Sequence, residues 1–155
     1  METQRRSILK RLFASAAGVV GLGAASKAIA EPIEPAAEKE VFNVVMQDDV
    51  PLFSQSTKMG NMVFIAGIGY HKEGDIKVHT DEVLKEMEKQ LIKAGSSMEK
   101  VLKVGVFLHD LNDYKGMNDV YRGRFGKKPP VRTTVAVYGG VPGDSLVEMD
   151  CIAYI

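Results

Sequence analysis

The run Pro129-Pro130-Val131-Arg132-Thr133-Thr134-Val135-Ala136-Val137 decides how the chain is to be read. Neither proline can donate to a backbone ladder, and each holds its predecessor extended, so the pair ends whatever precedes it. Residues 131–137 are mostly β-branched or small and read as a strand. Strand alternation places Val131, Thr133, Val135 and Val137 on one face and Arg132, Thr134 and Ala136 on the other. Arg132 thus stands among short neighbours that offer no countercharge. Its rigid fork of donors matches a carboxylate bidentately.

Working outward, the turn-rich Gly139-Gly140-Val141-Pro142-Gly143-Asp144 reads as the loop of a β-hairpin that leads into a last strand, residues 146–155. Glu148 shares a face of that strand with Leu146, Asp150, Ile152 and Tyr154. Counted as a simple hairpin, Arg132 and Glu148 lie about four positions out of opposition, ~13 Å along the strands. They meet either through intervening substrate and water or across a subunit boundary. Cys151 is the chain's single cysteine, which excludes an internal disulfide and suits a small buried hydrophobe.

Upstream, residues 41–46 read as a first strand and residues 48–55 as an irregular loop, with Pro51 stopping the ladder. Lys58 to Asn61 turns the chain into a buried strand, residues 62–66, that stops at Gly67-Ile68-Gly69; residues 76–78 stay unassigned. Thr80 is read as the cap of a helix with Asp81 and Glu82 in its first turn. Val83, Leu84, Met87, Leu91 and Ala94 form its buried stripe, Gly95 closes it, and Lys85, Glu86, Glu88, Lys89 and Lys93 form a solvated face. Residues 101–108 are a strand, and residues 114–125 a second helix with Met117, Val120, Tyr121 and Phe125 inward. The expected architecture is α+β, a mixed sheet with two helices on one face. Its bare face predicts self-association.

Together, Pro130, Arg132, Thr133 and Val135, then Val147, Glu148, Met149, Asp150, Ile152 and Ala153, resemble the signature of the RidA/YjgF family of imine and enamine deaminases. The resemblance covers residues 41–155. It implies a chorismate-mutase-like fold, a homotrimer with a pocket at each subunit boundary, and hydrolysis of small 2-imino or 2-enamino acids to 2-oxo acids and ammonia without cofactor or metal. It implies that Arg132 holds the substrate carboxylate and that Glu148 positions the attacking water. Gly67, Phe53, Ala66, Asn118 and Thr134 fall on substrate-pocket positions. Phe53 and Ala66 replace a tyrosine and a serine, so two hydroxyls are missing. That departure points to larger or more apolar substrates, or else to a non-catalytic trimer that binds small carboxylates or a protein partner.

The first thirty residues read separately. Gln4-Arg5-Arg6-Ser7-Ile8-Leu9-Lys10 resembles a twin-arginine export motif. A weakly apolar run and Ala28-Ile29-Ala30 complete a signal peptide, with cleavage after Ala30 and residues 31–40 as linker. The expected location is the periplasm or cell envelope, with no stable membrane anchor after cleavage. The whole chain has 155 residues and a formal net charge of zero, with 20 basic and 20 acidic residues. Five of the basic residues and one of the acidic ones lie in the first thirty, so the remainder carries −4 and argues against nucleic acid as a partner. His71, His79 and His109 lack metal-ligand spacing, and the glycine-rich pieces lack a nucleotide fingerprint.

Overall fold

A computed structural model describes residues 37–155; the expected signal peptide and most of the linker lie outside the described residues. Strands β1 (Lys39–Gln47), β2 (Val50–Met59) and β3 (Met62–Ile68) are followed by helix α1 (Ile76–Lys93) and β4 (Val101–Leu108). Helix α2 (Tyr114–Tyr121), β5 (Val131–Ala136) and β6 (Val147–Tyr154) complete the chain. One six-stranded sheet has the order β1-β2-β3-β6-β4-β5. Both helices lie over one face, as the sequence suggested.

The expected hairpin between the last two strands is not formed. β5 pairs in parallel with β4 at the end of the sheet, and β6 inserts antiparallel between β3 and β4. The reason lies in the β6 pattern. Val147, Met149, Cys151 and Ala153 are all buried, and a central position gives that stripe neighbours on both sides, which an edge hairpin would not. The residue 139–144 segment is a long turn containing a short 3-10 segment, Pro142–Asp144, and Ser145 is pinned by its hydroxyl, which donates to the Val147 carbonyl at 2.7 Å.

Three further expectations change. Pro51 lies inside β2 rather than in a loop: β1 and β2 form a hairpin through Asp48 and Asp49, both at positive φ, and the register shifts between Val45 and Met46 where Pro51 pairs. A bulge accommodates a residue without an N–H. α1 starts a turn earlier than expected, because Asp75 is its cap and accepts from the N–H groups of Lys77 and Val78. Thr80 is instead fully buried within the helix, its hydroxyl donating to the Ile76 carbonyl at 2.7 Å. α2 is shorter than expected. Arg122 turns extended and Gly123 takes φ +81, while Phe125 returns to the core from the following turn.

The core fills the space between the helices and the covered sheet face. Val83, Leu84, Met87 and Leu91 of α1 meet Val63, Ile65, Val104, Val106, Met149 and Cys151. Each such side chain contributes at most ~1.5–3 kcal/mol on burial. Gly95, at φ +86, ends α1 with Ser96 N–H donating to the Leu91 carbonyl at 2.8 Å. The other sheet face is open. In register across it run Val41, Thr57, Phe64, Ile152, Lys103 and Val131, then Phe107 and Val135 beside Glu148. Phe64 is 42 % exposed and Val131 70 %, an apolar area of the kind that soluble proteins cover with a partner.

Candidate functional site

Arg132 is held by α2. β5 brings it level with Val104 and, through β4, with Cys151, so it points to the helix-covered face at the open end of the sheet. Tyr114, Asn118 and Tyr121 recur at helical spacing and face it together. Arg132 Nη1 donates to Asn118 Oδ1 at 2.8 Å, and Nη2 to the Tyr114 hydroxyl at 3.3 Å. The guanidinium carbon stands 4.7 Å from the centroid of the Tyr121 ring and 5.8 Å from that of Tyr114. Among the described residues no carboxylate forms a salt bridge with Arg132, so the cation is oriented without being neutralised. Two aromatic faces and one amide fix the plane of the fork. Burial pushes the Tyr121 phenol up to about 12, against the opposing pull of Arg132. Thr134 follows on the same face, with its hydroxyl buried and unpartnered among the described residues.

Glu148 belongs to a different wall. It stands on the open face, in register with Phe107 and Val135. Its carboxyl group lies directly over Gly67: a side chain built there would put its Cβ 2.7 Å from Glu148 Cδ and 3.1 Å from Cγ. Gly67 sits in the irregular stretch of β3, where the register against β6 shifts between Ile65 and Ile68. Absence of a side chain at position 67 makes room for the carboxylate. Beside it opens a recess of about 390 Å³ lined by Phe53, Ala66 and Gly67, together with Gln55 of β2 and Glu86 and Gln90 of α1.

Of the residues read from the sequence, the fold gathers Arg132, Asn118 and Thr134 at the sheet edge, and Gly67, Ala66 and Phe53 around the recess, with Glu148 over Gly67 on the open face. It does not join the two groups. Arg132 and Glu148 project from opposite faces of one sheet, and Arg132 is level with Cys151, three residues or ~10 Å along the strand from Glu148. Substrate lying over one face of a single protomer cannot bridge them, whereas two copies can present one wall each. Sequence reading missed Tyr114 and Tyr121 as the support of Arg132, although their spacing with Asn118 was visible. It also placed Glu86 on a featureless solvated face and passed over Gln90, a polar residue inside an apolar stripe.

Remaining reactive groups have structural partners. His79 is buried and its Nδ1 accepts from the Leu146 N–H at 3.2 Å, while His71 Nδ1 donates to the Gly143 carbonyl at 2.8 Å. Burial first, and the charge of Asp150 second, push the Cys151 thiol up to about 12. It is therefore no nucleophile at neutral pH. Among the described residues no cluster of three His, Cys, Asp or Glu side chains is arranged to hold a metal.

Residues 48–155 match the family model described as endoribonuclease L-PSP. A RutC family protein of Pyrococcus abyssi is 38 % identical over 125 residues, covering 76 % of this chain and 98 % of that protein. The chloroplastic Reactive Intermediate Deaminase A of Arabidopsis thaliana is 32 % identical over 108 residues, covering 65 % of this chain and 57 % of that one. A YjgF family member from Neisseria meningitidis shares the fold with a TM-score of 0.68 at 23 % identity, covering 76 % of this chain and 94 % of its own. RidA from a Psychrobacter species superposes with a TM-score of 0.63 at 31 % identity, covering 68 % and 90 %. With its sheet, its two helices and the match over residues 48–155 in agreement, the chain belongs to the endoribonuclease L-PSP family, that of the RidA and YjgF proteins.

Proposed function

We propose that the protein hydrolyses 2-imino acids, the tautomers of 2-enamino acids, to 2-oxo acids and ammonia, at sites shared between neighbouring copies in a homotrimer. The observation that carries this reading is a cation held in a fixed plane by Asn118, Tyr114 and Tyr121, paired with no acid among the described residues, on the face opposite Glu148. An open sheet face with Phe64, Val131 and Val135 exposed supports the association that brings the two walls together.

In that arrangement Arg132 grips the substrate carboxylate and sets the imine carbon before Glu148. Glu148 takes a proton from water as the oxygen adds to the C=N carbon and hands it to the nitrogen, giving a neutral carbinolamine. In its collapse the hydroxyl proton passes to Glu148 as the C=O bond forms, and the C–N bond breaks to release ammonia. Phe53 and Ala66 offer no hydroxyl, so Glu148 is also the group that returns its proton to the leaving nitrogen. The test couples an amino-acid oxidase to the purified protein and follows loss of the semicarbazone trapped from the imine. Arg132-dependent acceleration is expected. Its absence for every imino acid tried refutes hydrolysis.

The two missing hydroxyls favour one alternative, a trimer that binds small carboxylates without turning them over. Micromolar binding of 2-oxo acids with no acceleration of imine hydrolysis distinguishes it. The family model's name raises ribonuclease activity, which the acidic charge of the body disfavours. The twin-arginine motif supports action in the cell envelope after export; replacing Arg5 and Arg6 with lysine then traps the protein in the cytoplasmic fraction. An unchanged distribution refutes that location.

A further inference from the structure

The recess beside Gly67 holds more hydrogen-bonding capacity than a small imino acid uses. β2 and β3 pair only between the Ser56–Ile65 and Met59–Met62 rungs, while β2 runs back along β1 as far as Val50. Beyond Ile65 the strands part, and α1 closes the gap with Glu86 and Gln90, one turn apart. Gln90 interrupts the stripe of Val83, Leu84, Met87 and Leu91. It is 8 % exposed, and among the described residues its Oε1 has no hydrogen-bond partner. A buried polar atom in that state marks an absent partner. Glu86 carries a carboxylate to the same wall, tied among the described residues only to Lys89 at 3.2 Å in an exposed pair, the kind that water screens. Gln55 brings a third polar side chain, His71 also lines the recess, and among the described residues neither lysine nor arginine does.

We propose that this recess is the side-chain subsite for the substrate, and that it selects 2-imino acids whose side chains end in a guanidinium or ammonium group. The inference rests on the deaminase reading, because Gly67 joins the recess to Glu148. A cationic end supplies the donors that the wall lacks: one to the Gln90 amide oxygen, reached by rotation of the amide, and others to the Glu86 carboxylate and Gln55. About 390 Å³ exceeds the need of a two-carbon side chain and accepts an extended basic one. Polar lining thus overrides the preference for apolar substrates that Phe53 and Ala66 suggested.

Stable 2-oxo acids test the subsite by direct binding to the purified oligomer. By isothermal titration, the 2-oxo acid of arginine is expected to bind at least about tenfold more tightly than that of leucine, since a site built to hydrogen-bond a group discriminates strongly against analogues lacking it. Glu86→Gln and Gln90→Leu are each expected to bring that ratio toward one. Glu86→Gln is isosteric and half-exposed, so it guards against loss of fold in the buried variant. Equal affinities, a preference for the leucine analogue, or a ratio that survives both substitutions overturns the proposal. Imines made from arginine and leucine by an oxidase are assayed in parallel. If neither these nor any other imino acid is hydrolysed the deaminase reading falls, while the binding ratio still decides the subsite.

Discussion

Gly67→Ala is the sharpest perturbation of the candidate site, because it touches Glu148 and little else. Gly67 does not have a positive φ, so alanine meets no backbone strain, and its smaller unfolded-state entropy favours folding by ~0.4–1 kcal/mol. Against this, the new Cβ would lie 2.7 Å from Glu148 Cδ, about 1 Å inside ordinary contact of ~3.5–4 Å. The obstructing atoms are the far end of a flexible side chain, which can swing aside over the open face. Stability is therefore expected to change by less than ~1 kcal/mol, read as a small shift in thermal melting. Function responds differently. A displacement of ~1 Å in a group that orients water costs on the order of 100-fold in rate, or ~2.7 kcal/mol of transition-state stabilisation. Initial rates of imine hydrolysis and a thermal melt of the same preparation separate the two effects. Full activity in Gly67→Ala would refute the working position of Glu148 over residue 67. A collapse of the melting temperature would instead make the glycine a packing requirement.

Arg132→Lys keeps the charge but loses the fork and the stacking on Tyr121, so kcat/KM is expected to fall by about 100-fold or more with the fold intact; near wild-type activity refutes carboxylate binding by the guanidinium. Val135→Glu puts a charge in the open apolar face beside Glu148 and is expected to turn the proposed trimer into monomers and abolish activity together, measured by sedimentation equilibrium. A wild-type monomer at micromolar concentration removes the shared-site reading. Cys151 should resist alkylation at pH 8 in the folded state and react on unfolding. Its ordinary value is 9.0 and its folded one about 12, so the unfolded thiol ionises first. Stability therefore falls as pH rises above 9, by at most ~1.4 kcal/mol per pH unit from this group, and Cys151→Ala should flatten that slope.

Much of the fold was legible because its signals are local. The two-residue period of residues 131–136 and 147–154, the stripe Val83-Leu84-Met87-Leu91 and the closing glycine at position 95 each act within a few residues. Errors came where local signals compete with distant neighbours. Asp75 and Thr80 both suit a helix cap, and only packing of Thr80 into the core excludes it from that role. Gly139 to Asp144 has the composition of a hairpin loop, yet nothing local says that β6 will enter the sheet two strands away from β5.

By itself the sequence pointed out the candidate side chains: an arginine among short residues, a glutamate on the last strand, and a glycine at the end of a buried strand. Only the tertiary structure decided which of them can meet. Strand alternation assigns each residue a side of its own strand, but strand order and register assign it a side of the sheet, and they depend on pairings between residues dozens of positions apart. Those pairings put Arg132 and Glu148 on opposite faces and brought Glu86 and Gln90 from a helix to the wall of the recess.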